Sequence, residues 1–154
     1  MDRLSEHLTL AEATKSQQAV RLGISNNPNK KQLEAMILIA IKVFEPIRKH
    51  FNTVIGVSSF FRGEILNTLI GGSNTSQHCK GEAMDIDADI FGKLTNKQIF
   101  DFAKLNLSFD QLIWEYGNDS QPDWVHISYS ENGNRKQILR AYRIDGRIVY
   151  KQIH

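Results

Sequence analysis

A chain of 154 residues, 41% hydrophobic and 23% charged, has the size and composition of one soluble domain around one core. A formal charge of +2 is too small to argue for a nucleic-acid partner, and a single cysteine excludes a disulfide framework or a cysteine-rich zinc module. Met1 to His7 lacks the apolar stretch of a signal peptide, and no apolar run approaches the roughly 20 residues of a membrane span. The expectation is therefore a monomer made in the cytoplasm, with no membrane insertion.

The predicted elements begin with a short helix at Thr9-Leu10-Ala11-Glu12, which fits a capping box with Leu8 as a staple. Asn26-Asn27-Pro28-Asn29 breaks the pattern, and Asn29 with Gln32 marks a second start. Leu33, Met36, Ile37, Ala40, Val43, Phe44 and Ile47 then recur at helical spacing, a core helix that Pro46 should kink or end. Thr53–Val57 reads as a strand, Glu64–Ile70 as a short helix, and residues 71–75 as a loop leading to His78. From Ala83 the pattern alternates, with Met84, Ile86, Ala88 and Ile90 facing one way and Asp85, Asp87 and Asp89 the other.

Thr95-Asn96-Lys97-Gln98 starts another helix, and Phe109–Trp114 and Trp124–Tyr129 read as strands. Asn132-Gly133 and Asp145-Gly146 are tight-turn dipeptides, so the C-terminal third reads as an antiparallel meander. The expected architecture is a single α+β domain over residues 1–154, N-terminal helices packed on an antiparallel sheet.

Two stretches carry metal-capable side chains: Ser76 to Asp87, containing His78 and Asp85, and Asp123-Trp124-Val125-His126. Two imidazoles and one carboxylate with a spare acid suit a catalytic zinc site with an open fourth position. His78 and Asp85 flank Gly81, a spacing for a turn into a strand and not for the helical His-Glu-x-x-His arrangement. The same spacing also fits a solvated acidic strand face beside ordinary histidines. Asp123, at the mouth of the strand carrying His126, is placed to act as general base, and Glu115 at the end of the preceding strand is the second candidate.

Ser76-x-His78-x-x-Gly81-x-Ala83-x-Asp85 followed by Asp123-x-x-His126 resembles the signature of the M15 metallopeptidases, the D-alanyl-D-alanine carboxypeptidases and L-alanyl-D-glutamate endopeptidases of the hedgehog/DD-peptidase fold. Leu8-Thr9-Leu10-Ala11-Glu12 and Ala19-Val20-Arg21-Leu22-Gly23-Ile24 resemble the small phage- or prophage-encoded branch. The resemblance implies one Zn2+ per chain on His78, Asp85 and His126, with Asp123 as the catalytic acid-base residue, although many relatives carry Glu there. It also implies that Arg62 holds a substrate carboxylate or polarises the scissile carbonyl. The surrounding Ser59-Phe60-Phe61-Arg62-Gly63 lacks the Gly and second Ser of the family's Ser-Gly-Tyr-Arg-Ser-like segment.

Ser76 is expected to orient a ligand or contact substrate, as is Trp124 in the cleft; Cys79 is a bystander. The implied reaction is zinc-assisted hydrolysis of peptidoglycan stem peptides, by a protein that acts on the cell wall once released. Two rival readings are a binding module of the same fold that does not cleave, and a virion component carrying the domain.

Overall fold

The computed structural model describes residues 1–154. A short N-terminal hairpin, β1 (Arg3–Ser5) and β2 (Leu8–Thr9), leads into α1 (Leu10–Thr14) and α2 (Gln17–Leu22). The Thr9–Glu12 capping box forms as expected, both reciprocal bonds present. The core helix also starts where expected. Asn29 and Gln32 cap α3 (Lys30–Ile39), which continues without a break through a wide π turn (Ala40–Phe44) into α4 (Glu45–Phe51).

Pro46 accounts for that wide turn. Proline has no N–H to give to the preceding turn, and its ring crowds the carbonyl four residues back; widening the helix relieves both. Glu45, buried at the junction, ties the hairpin to the helix. Its Oε1 accepts from Ser5 Oγ at 2.6 Å and from the His7 amide at 2.7 Å.

The remaining elements are β3 (Val57–Ser59), α5 (Glu64–Leu69), a 3₁₀ turn (Gln77–Lys80), β4 (Ala83–Ile86), a second 3₁₀ turn (Ala88–Ile90), α6 (Asn96–Asn106), β5 (Gln111–Glu115), β6 (Trp124–Ser128), β7 (Gln137–Ile144) and β8 (Arg147–Gln152). Six strands form one sheet in the order β3-β4-β6-β5-β7-β8. One face carries Met84, Ile86, Val125, Ile127 and Leu112, all fully buried within a 24-residue core beneath the helices. Burying each such side chain contributes about 1.5–3 kcal/mol, which fixes which face turns outward.

Three expectations need correcting. The sheet is mixed, because β5 and β7 run parallel while every other pair is antiparallel. After β6 the chain turns at Glu131–Asn132 and crosses to the far side of β5, so Asn132-Gly133 does not close a hairpin. Asp110 holds that crossover, accepting from Arg135 Nε at 2.9 Å, Nη2 at 2.8 Å and the Arg135 amide at 3.1 Å. Asp145-Gly146, both at positive φ, does close the β7–β8 hairpin.

The strand expected at Thr53–Val57 lies later, at Val57–Ser59. Asn52 ends α4 in the left-handed conformation, and pairing begins only at Val57, opposite Ile86. The acidic face expected over residues 85–89 is also broken. Asp87 leaves the strand and caps the next turn through Asp89 N at 3.0 Å, while Ile90 is half exposed.

Candidate metal centre

The outward face of the sheet gathers the predicted ligands. Asp85 and His126 are register partners on β4 and β6, so their side chains rise on the same side. Nδ1 of His126 lies 3.0 Å from Asp85 Oδ1, and Nε2 of His78 lies 3.3 Å from the same oxygen. One ligand-capable atom from each of the three falls within 4.8 Å of the others.

His78 arrives on the 3₁₀ turn, and its ring is fixed before any ligand binds. Its Nδ1–H donates to the Phe60 carbonyl at 2.7 Å, which leaves Nε2 free to face Asp85. In return, the Arg62 amide donates to the His78 carbonyl at 3.3 Å, and Ser76 Oγ accepts from the His78 amide at 3.3 Å. The turn closes on Gly81 at φ +74, where an added Cβ would stand 2.5 Å from the Gln32 carbonyl of α3. The glycine is thus needed twice, for its backbone angle and for close approach of the helix.

Asp85, 13% exposed, would be raised by burial, but the His78 and His126 imidazoles hold it well below the usual carboxylate range. Glu115 behaves oppositely: burial pushes it up to about 7, the His126 ring pulls it back, Asp85 adds to the rise, and Arg62 opposes it. Glu115 is 7% exposed and projects from the same face as His126, one row further along the sheet.

Asp123 is exposed at the mouth of β6, its amide bonded to the Glu115 carbonyl at 2.8 Å. It lines a cleft of about 540 Å³ with Tyr116, Trp124 and Arg143, and the Tyr116 and Trp124 rings meet edge to face at 5.4 Å. Trp124 lines that cleft, none of whose walls is His78, Asp85 or His126, whereas Trp114 belongs to the core. Arg62 brings a buried Nε that has no partner in the chain. Ser76 also opens onto a separate groove of about 780 Å³ between α3 and α5. Burial raises the Cys79 thiol, opposed by Arg62 and helped by Glu64, so it is no activated nucleophile.

This face carries two neighbouring imidazoles, a low-lying carboxylate, a buried acid and an unpartnered guanidinium nitrogen, and the sequence pattern of the family described as Peptidase M15 matches residues 6–128. The chain belongs to the peptidase M15 family. Peptide-bond hydrolysis by zinc peptidases is that family's chemistry, and His78, Asp85 and His126 bring together atoms that could hold a metal ion. No curated protein matches the chain. No helix is long and apolar enough to cross a membrane.

A second group, Glu6, His7 and Glu45, also brings ligand-capable atoms together, but it differs in kind. Both Glu45 oxygens are already engaged by Ser5 and His7, which closes the hairpin onto the helix and leaves no open position. Sequence reading missed the Phe60 carbonyl, a backbone atom that no side-chain pattern signals. It also passed over the whole of β7–β8 as a source of site residues.

Proposed function

We propose that this M15 peptidase is a zinc-dependent hydrolase of peptidoglycan stem peptides, built on the hedgehog/DD-peptidase arrangement. The observation that carries the reading is the meeting of His78 Nε2, His126 Nδ1 and the Asp85 carboxylate beside buried Glu115. The donor set fits zinc: two nitrogens and one oxygen, with one ring already oriented from behind by a backbone carbonyl. A bound zinc would supply a Lewis acid and lower the pKa of water at its open position.

The residues of the chain perform the remaining work. A carboxylate must take a proton from the attacking water and return it to the leaving nitrogen. The family motif points to Asp123 for this role. Burial beside His126, Asp85 and Arg62 favours Glu115, a carboxyl that the metal-free site raises above its ordinary range. In this reading Glu115 Oε carries the proton and Asp123 contacts substrate at the rim of the cleft. Arg62 offers the bare Nε and its guanidinium fork to the carbonyl oxygen as negative charge develops, which accounts for a buried donor left unpaired.

The test is mass spectrometry of peptidoglycan digested with zinc-loaded protein, beside chelated protein and the variants Glu115→Gln and Asp123→Asn. Release of D-Ala or of a cut stem peptide, abolished by chelation, supports the reading and names the bond. Bound zinc with no product from several wall types would turn it towards a binding module.

A further inference from the structure

The hairpin β7–β8 lies beyond residues 6–128, the segment that the family pattern matches, yet it extends the same outward face. Register fixes one transverse row: Trp124 pairs with Glu115, Glu115 with Ala141, and Ala141 with Tyr150. Partners in a row project from the same face, so Tyr150 stands two strands from Glu115 with only a methyl group between them. A tyrosine side chain is long enough to lean across that gap. Ala141 is fully buried in a small cluster with Ile113 and Leu139, against which Tyr116 packs. Tyr150 itself is 52% exposed, so its ring lies at the surface of that face and not in a core.

Resting on the peptidase reading above, we propose that Tyr150 is a substrate-contacting residue whose hydroxyl donates a hydrogen bond to a backbone carbonyl of the bound peptide. The electrostatic surroundings agree with this placement. Burial raises the phenol, Glu115, Tyr116 and Asp85 raise it further, and Arg62 opposes them, so the groups that define the site are those Tyr150 senses. A neutral phenol in the neighbourhood of Glu115 and Asp85 is a hydrogen-bond donor suited to a carbonyl oxygen and not to an anion. Because it sits strands away from Asp85 and His126, its contact is one that substrate and transition state share, which affects binding more than turnover.

The test compares wild type, Tyr150→Phe and Lys151→Ala on muropeptides released from bacterial peptidoglycan, with melting temperatures alongside. Lys151 is adjacent in sequence but projects from the opposite face. Tyr150→Phe should raise KM roughly tenfold with kcat held within about twofold, while Lys151→Ala changes neither. Calorimetry of the same muropeptides on metal-free protein should show a matching loss of affinity, independent of turnover. An unchanged KM and affinity in Tyr150→Phe, with the fold intact, overturns the proposal. If the variant melts early and loses kcat as well, the residue is structural and the proposal also falls. Wild type that binds but never cleaves refutes the peptidase reading alone, and the calorimetric comparison still decides Tyr150. Wild type that neither binds nor cleaves overturns both.

Discussion

His126 Nδ1 lies 3.0 Å from Asp85 Oδ1 across the β4–β6 pair, and the two residues are direct register partners. The pair is therefore held by the backbone hydrogen bonds of two central strands, with core side chains immediately beneath at Met84, Ile86, Val125 and Ile127. A metal held by such a pair stabilises the folded state in proportion to its binding. At free zinc about a hundredfold above Kd the gain is about 2.7 kcal/mol. For a domain of this size that corresponds to a rise of about 5–10 °C in Tm. Chelation should remove the rise in wild type and change nothing in Asp85→Ala, a comparison made by thermal melts with and without chelator.

Glu115 should cost the metal-free protein stability at neutral and higher pH. Its folded pKa of about 7 exceeds the ordinary 4.5, so the carboxyl is equally protonated in both states below about pH 4.5 and imposes its penalty as pH rises through 7. Metal-free Glu115→Gln should accordingly melt higher than wild type at pH 8 and no differently at pH 4. If Glu115 is the base, kcat/KM in wild type rises with pH along an acid limb that Glu115→Gln abolishes, together with at least about a hundredfold in kcat. Asp123→Asn should keep the limb and lose chiefly in KM. The reverse pattern would return the role to Asp123.

Gly81→Ala should damage both the fold and the metal centre. The new methyl must sit at φ +74 and 2.5 Å from the Gln32 carbonyl, with Met36 Cγ at 2.7 Å. Relief requires α3 to move away from the turn carrying His78. The expected cost is about 1–3 kcal/mol in denaturant unfolding, accompanied by weaker zinc binding in a competition titration.

Asp110 gives the fold an acid-sensitive point that also touches the turn carrying His78, because Gln77 Nε2 donates to its Oδ2 at 3.0 Å. Hydrogen bonds from Arg135 outweigh the effect of burial and hold its carboxyl down to about 2, against an ordinary 3.8. The stabilisation is present above about pH 4 and is lost as pH falls towards 2. Asp110→Asn should cost about 1–3 kcal/mol at pH 7 and nothing near pH 2, measured by urea unfolding at both pH values. Loosened β7–β8 pairing in hydrogen exchange would accompany the loss, because Arg135 and the Asp110 carbonyl lead the chain into β7.

Local chemistry was legible in the chain. The capping boxes at Thr9, Asn29 and Thr95 all form, because each needs only side chains three residues apart. The apolar repeat from Leu33 to Ile47 is a buried helix face for the same reason, and Asp145-Gly146 closes its hairpin through two adjacent positive φ angles. His78, Asp85 and His126 were readable as a set because the motif residues around them encode a turn and two strands. Gly81 and Ser76 shape that turn directly.

Tertiary structure decided everything that depends on which strand lies beside which. The alternation after Ala83 left Asp85, Asp87 and Asp89 equivalent, and only pairing with β3 and β6 ends the strand at Ile86 and leaves Asp85 on the site face. The sequence likewise assigned Glu115 the weaker role, since burial and the charges that raise its pKa come from β4, β6 and the Arg62 loop. Tyr150 carries no sign in the sequence of the position from which its role is proposed. Its place in the row with Ala141 and Glu115 follows from the parallel β5–β7 contact, set by Asp110 gripping Arg135 across 25 residues of sequence. Helix caps and turns are settled within a few residues of chain, whereas strand neighbours are chosen by the burial and ion pairing of distant segments, which no local pattern records.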